Sequence, residues 1–390
     1  MTKPLALYIH IPFCTVKCGY CDFNTYSGMD GLKRGYVDSL LREVSLLPAA
    51  LSFRPITSIA LGGGTPGEME PAQIASIVGA VRARFAVVSG AEVSLEANPG
   101  TTNGEHLQQL RAAGITRISF GGQSFDAADL MFLDRIHSPE AIGASVRLAR
   151  AAGFESIGLD LMYGLPGQSL ERWTANLRAA MGLELDHLST YGLTVEAGTP
   201  LSSRVAAGAV VLPDDDDFAE LYEATEHIVV AAGFEQYELS NWARRGHQSR
   251  HNSVYWTDGD YLGIGAGAHG YLDGERYENI AHPRAYIAAL RAESDSEWPV
   301  RMNTYRPSVG VGMADFISLR LRLLRGLELA SFSTRFGCTV EQAAGPVIER
   351  CCAAGVLQAN ATTIRLSRRG RLLHGEVAAQ LLEHLGGATA

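Results

Sequence analysis

An α/β fold is what this sequence predicts: six strand–helix units forming a part-open (β/α)6 barrel, followed by a C-terminal helical, winged-helix-like domain. Three observations carry that expectation. Over roughly the first 190 residues, apolar strand-like runs alternate with segments of helical periodicity. Each unusual motif, rich in glycine, cysteine or polar side chains, follows directly on one of those runs. Past residue 213 the alternation stops.

The strands fall near Leu5–Ile11, Ile56–Leu61, Glu92–Glu96, Arg117–Phe120, Ser156–Leu161 and His187–Thr194. Between them lie LKRGYVDSLLREVSLL, PAQIASIVGAVRARF, EHLQQLRAAG, PEAIGASVRLARAAG and SLERWTANLRAAMGL, each with apolar residues at helical spacing. Strictly alternating elements imply right-handed βαβ units and a parallel sheet, and six units favour a barrel or open part-barrel over a flat sheet. The cysteine loop, GGGTP, EANPG, GGQSF, DLMYGLPGQ and TVEAGTP then all lie at the carboxyl ends of strands, the face on which such barrels place their active sites. DDDDFAELYEATEHIVVAAGF reads as a helix whose acidic start suits the helix dipole, with the aspartates as a solvated cap rather than a metal site. The expected division is a barrel over 1–235, a connecting segment over 236–299 and the C-terminal domain over 300–390.

The composition is that of an ordinary globular protein, 46% apolar and 19% charged. No apolar run approaches a bilayer span, and MTKPLALYIHIPF lacks signal-peptide order, so a cytoplasmic location is expected. In that reducing compartment six cysteines are thiols, and a tight cluster among them suggests metal. A net charge of −9 weighs against phosphate-driven binding, so no nucleic-acid partner is expected.

CTVKCGYC puts Cys14, Cys18 and Cys21 on one loop after the first strand. Structural zinc takes four ligands, so a zinc knuckle would need His10 or a distant cysteine to complete it. A 4Fe–4S cluster held by three thiolates instead leaves one iron to bind a small molecule by its own donor atoms. The spacing C-x-x-x-C-x-x-C resembles that of radical S-adenosylmethionine enzymes, whose cofactor chelates the open iron. The other strand-end residues suit such a cofactor. Tyr20 offers an aromatic face for adenine, and Gly62, Gly63 and Gly64 allow close backbone approach to an amino group and its carboxylate. Glu96 could bind an ammonium or a ribose, while Gln123, Arg135 and Asp160 add an amide, a cation and a second carboxylate. Any one of these alone is an ordinary strand-end residue. Their convergence on one face argues for a site.

YIHIPFCTVKCGYCDF, GGGTP, EANP, GGQSF, DLMYGLPGQ and SRHNSVYW…YLGIGAGAHGY together resemble the coproporphyrinogen-oxidase-like branch of the radical S-adenosylmethionine superfamily, from Tyr8 to about Leu381. Three features place the likeness nearer the branch's haem chaperones than its oxidases. Phe23 stands where the oxidases carry a further cysteine; only seven residues precede Tyr8, where the oxidases have an extension; and HNSVYW fits the chaperones' HNxxYW haem motif. The resemblance implies cluster ligation by Cys14, Cys18 and Cys21. It implies S-adenosylmethionine binding by Tyr8, Tyr20, Gly63, Gly64, Thr65, Glu96, Gln123, Arg135 and Asp160, and haem binding at His251. No side chain is assigned a catalytic role. Three positions depart from the family pattern: Gly122 replaces a common valine, Asp134 a common glycine, and Ser249 a cysteine found in many relatives.

On chemical grounds His251 could ligate haem iron, Tyr255 and Trp256 could pack on a porphyrin face, and Arg244, Arg245 and Arg250 could pair with propionates. The bland reading is that His251 and Asn252 brace a buried loop while the aromatics fill core. His269 is a second candidate for structure or ligation, and His10 reads as a core or supporting residue. Cys338, Cys351 and Cys352 read as packed thiols. The implied function is haem trafficking: binding haem and passing it to an acceptor, a membrane respiratory enzyme being one such protein, with room for peripheral membrane contact. The alternative is oxygen-independent coproporphyrinogen III oxidation by hydrogen abstraction with a 5′-deoxyadenosyl radical. RNA methylthiolation shares the cysteine spacing but would want another cluster site and an RNA-binding domain.

Overall fold

A computed structural model describes residues 3–293 and 296–387. Six parallel strands run in chain order: β1 (Leu5–Ile11), β2 (Ile56–Gly63), β3 (Val87–Ala97), β4 (Arg117–Gln123), β5 (Ser156–Tyr163) and β6 (His187–Gly192). Helices Lys33–Leu46, Pro71–Arg84, Gly104–Ala112, Pro139–Ala151 and Leu170–Met181 connect them. Alternate residues explain the layering. Leu5, Leu7, Ile9 and Ile11 of β1, with Val93 and Leu95 of β3 and Ile157, Leu159 and Leu161 of β5, join the main buried cluster with the helices. The residues between them, among them His10, Ser94, Ser119 and Asp160, share the opposite face, as a period of two requires.

The sheet stays open. Beyond β6 it continues through β8 (Asn241–Ala243) to β7 (Glu235–Gln236), both antiparallel. At the other edge β9 (Tyr261–Ile264) lies parallel to β1. It is followed by an antiparallel ribbon of β10 (His269–Leu272), β11 (Glu275–Asn279) and β12 (Arg301–Tyr305). The segment expected as a connector thus adds its strands to the barrel's own sheet.

The aspartate run behaves as a cap. Asp214 accepts from the amide of Asp217 at the start of helix Asp215–Ala231. The C-terminal unit packs helices Val309–Arg322, Leu329–Phe336, Val340–Ala353 and His374–Gly386 around a second core. Its small antiparallel sheet comprises β13 (Leu327–Glu328), β14 (Leu357–Ala359) and β15 (Thr363–Leu366), in the order β13-β15-β14. Among the described residues no helix is long and apolar enough to cross a membrane.

Candidate functional site

The cysteine loop is anchored at each turn. The amide of Cys14 donates to the carbonyl of Tyr26 (3.1 Å), and that of Cys21 to the carbonyl of Cys18 (3.1 Å). Glu68, just past β2, accepts from the amide and hydroxyl of Thr15 (3.1 and 2.8 Å). Asp134 accepts from the amide of Gly19 at 3.0 Å. Its backbone sits at φ 53°, a region that glycine adopts freely and that aspartate tolerates better than most residues. The departure from the family pattern therefore brings a tie to the loop. At Gly122 a Cβ would meet the end of the Leu159 side chain at 2.6 Å, so a larger residue there would require that side chain to shift.

The three thiols open on a cavity of about 460 Å³. Tyr20, Gly63, Gly64, Thr65, Glu96, Gln123, Arg135 and Asp160 line the same space. Parallel strands explain the gathering: β1 to β5 all end on this side, with Gly63, Glu96 and Gln123 at or next to strand ends, Asp160 within β5, and Arg135 brought in by the loop after helix Ala127–Phe132. Gly63 takes φ 110°, and a Cβ there would lie 2.3 Å from the His10 ring. At Gly64 a Cβ would lie 2.5 Å from the carbonyl oxygen of Phe13, so only glycine lets β2 pass beneath the cysteine loop. Gln123 sits at φ 62° beside a register shift between β4 and β5, a bulge that re-aims its side chain.

Polar contacts hold the walls in place. Thr65 Oγ1 lies 3.5 Å from Cys14 Sγ and accepts from Asn98 Nδ2 at 3.2 Å. Arg135 Nη1 lies 3.6 Å from Cys18 Sγ, while its Nη2 donates to Asn98 Oδ1 and to the carbonyl of Gly121. Its Nε is buried with no partner among the described residues, a donor that a bound anion or oxygen atom would satisfy. Asn98, Tyr191, Thr194 and Glu196 also line the cavity and were not singled out from sequence. Asn98 was readable, since it belongs to the same EANPG motif as Glu96.

Two carboxylates give the cavity its electrostatic character. Desolvation, together with Asp160, pushes Glu96 up to about 7, against the opposing amide of Gly63. Burial likewise raises Asp160, with Ser189 and Ser119 opposing. Although Glu96 lies deep in the fold, its side chain is exposed to the cavity. A pair of desolvated carboxylates favours a cationic guest, which would relieve both. Among the described residues no three Cys, His, Asp or Glu side chains are grouped to hold a single metal ion. A cluster asks for something else, because each thiolate meets a different iron. The donor set, the carboxylates and the unpaired Nε fit a cluster carrying a cationic sulfonium cofactor.

Two expected site residues lie elsewhere. Tyr8, on β1, does not line this cavity; its hydroxyl is 2.9 Å from His10 Nδ1, and His10 Nε2 is 2.9 Å from the carbonyl of Asn24. His251 belongs to a short helix, Arg250–Trp256, that packs against the N-terminal part of β2 and β3. Ser249 caps that helix through Asn252, and Glu92 accepts from the amides of Arg250 and His251. The His251 ring is 2% exposed, and burial lowers it to about 3, so it is neutral. Its Nδ1 is 3.0 Å from Ser58 Oγ and its Nε2 is 2.8 Å from the Tyr255 hydroxyl. Both nitrogens are engaged, so in this conformation neither faces a ligand.

Residues 8–180 match the Radical SAM superfamily, and residues 312–373 match the HemN C-terminal domain. A Mycobacterium tuberculosis protein named heme chaperone HemW is 39% identical over 97% of this chain and 95% of its own length. Its Escherichia coli namesake is 37% identical over 95% and 96%. Among solved structures, coproporphyrinogen III oxidase (HemN) from Escherichia coli superposes with a TM-score of 0.83. It covers 97% of this chain and 90% of that one at 22% identity, a likeness of fold.

Proposed function

The chain belongs to the HemW family of the radical S-adenosylmethionine superfamily, and from that premise we propose that it is a cytoplasmic haem chaperone. It binds haem, carries a 4Fe–4S cluster with S-adenosylmethionine, and delivers haem to an acceptor protein. Cys14, Cys18 and Cys21 hold the cluster. Tyr20, Gly63, Gly64, Thr65, Glu96, Gln123, Arg135 and Asp160 bind the cofactor, with Tyr8 supporting them through His10. When bound, such a cluster can pass an electron to the sulfonium. This chain's own residues hold the guest: Glu96 and Asp160 oppose its positive charge, and the glycines admit its polar end to the backbone. The haem element is the helix carrying His251, within the segment 236–299 that we assign between barrel and C-terminal domain.

The observation that carries the reading is the convergence of three thiols and two desolvated carboxylates on one cavity, in a chain related to haem chaperones over nearly its whole length. Phe23 argues against the oxidase. It stands on that cavity's wall, 61% exposed, where the oxidases would carry another thiol. The test is complementation of a bacterial strain lacking its oxygen-independent oxidase, grown anaerobically. No rescue is expected; robust rescue would put the oxidase reading first.

A further inference from the structure

A second cavity, of about 440 Å³, lies at the edge of the sheet where the ribbon meets the C-terminal domain. Tyr255, Tyr261, Tyr271, Tyr277 and Tyr305 wall it, and Leu319 enters from helix Val309–Arg322. It shares no residue with the cysteine cavity. Tyr255 belongs to the motif helix, and its ring meets that of Tyr261 edge-on at 4.8 Å. The motif thus reaches this cavity through its tyrosine, with its histidine behind.

Of His10, His251 and His269, His269 is the one whose ring makes no hydrogen bond among the described residues. His251 and His10 are 2% and 5% exposed, and both nitrogens of each are engaged. The His269 side chain is 69% exposed, lines the cavity, and makes no hydrogen bond among the described residues. It is the cross-strand partner of Glu278, so the two side chains share a face, and its Nε2 lies 3.7 Å from Glu278 Oε2. Glu278 lies on the Nε2 side of the ring, so Nδ1 is the nitrogen left for a ligand. At the neighbouring Gly270 a Cβ would sit 2.0 Å from the Tyr277 ring, so glycine lets that ring close the floor. Arg276, the arginine on the wall, is paired with Asp315 at 2.8 Å, so a carboxylate on the guest would share it with Asp315, in a cavity that Asp258 and Glu278 also line.

We infer that this tyrosine-walled cavity seats an iron porphyrin with His269 as an axial ligand, and that His251 acts on the porphyrin only by holding Tyr255. The inference rests on the haem reading above and changes the residue that meets the iron. Phenol rings supply the flat apolar surface a macrocycle needs, and the imidazole supplies the donor that its iron prefers.

The test titrates haemin into the full-length, cluster-loaded protein and into His269→Ala and His251→Ala, following the Soret band. Truncating the exposed His269 leaves the fold intact, which thermal melting checks. His269→Ala should weaken binding by about tenfold or more and move the Soret band. Added imidazole should restore the band's position, a rescue that general loop damage would not permit. His251→Ala should bind more weakly with the Soret position kept. Unchanged affinity and spectrum in His269→Ala would overturn the ligand assignment while leaving the haem reading standing. Failure of the wild-type protein to bind haemin at all would overturn both.

Discussion

Glu96 shows how a single side chain can tie ligand binding to pH. Burial first, and Asp160 second, push its carboxyl up to about 7, so it is largely protonated below neutrality and ionised above. A cationic cofactor binds best to the ionised form. Affinity for S-adenosylmethionine should therefore fall as pH drops below 7, approaching tenfold per unit as one proton becomes linked to binding. Glu96→Gln should bind more weakly at pH 8 and lose most of this dependence. Calorimetric titration between pH 6 and 8 measures it, and a wild-type affinity independent of pH would contradict the assignment. The stability sign is separate. A carboxyl raised in the fold binds its proton there more tightly than in the unfolded chain, so Glu96 lowers the ligand-free protein's stability as pH rises from about 4.5 to 7.

The helix Arg250–Trp256 owes its place to capping and to clamps from other elements. Seven residues form a helix too short to persist alone. Ser249 accepts from Asn252 at 3.1 Å, Glu92 takes two further amides, and Arg320 donates to the carbonyl of Thr257 at 2.9 Å. Arg322 from the C-terminal domain lies 4.3 Å from the Trp256 ring centroid. Ser249 thus has a structural role, since its hydroxyl caps better than a thiol would. Ser249→Ala should cost about 1 kcal/mol, read from the urea unfolding midpoint; an unchanged midpoint would show the cap to be dispensable. The same helix marks where sequence reading reached its limit. The six barrel strands are legible because strand-like and helical patterns alternate and each strand leads into a distinctive motif; their ends shift by a few residues, most at β3, which begins at Val87 with four residues, Val87–Gly90, that are largely exposed. The motif helix and strands β9–β12 are too short for periodicity to register, and β9 joins the barrel's sheet by pairing with β1, far along the chain. The cysteine cavity was legible because most of its contributors come from motifs at strand ends. The seclusion of His251 is one of the two readings its residues allow, but the partners that enclose it, Ser58 of β2 and Glu92 of β3, are not legible in sequence.

Across the whole molecule, the two cavities hang from one sheet but from different parts of it. The cysteine cavity belongs to the ends of the parallel strands, and the tyrosine cavity to the added ribbon and the C-terminal domain. They should fail independently. Anaerobically reconstituted protein should hold about four iron atoms per chain. Cys14→Ala, Cys18→Ala or Cys21→Ala should abolish that content while haemin binding persists, whereas Cys338→Ala, on a helical domain away from the site, should change neither. Iron analysis beside haemin titration measures both, and stoichiometric zinc persisting in iron-rich medium would contradict the cluster. The chaperone reading itself is met most directly by one experiment: anaerobic incubation of the cluster-loaded protein, with S-adenosylmethionine and a reductant, with coproporphyrinogen and separately with haem. The account predicts that haem is retained and coproporphyrinogen recovered unchanged. Formation of protoporphyrinogen without retention of haem would contradict it.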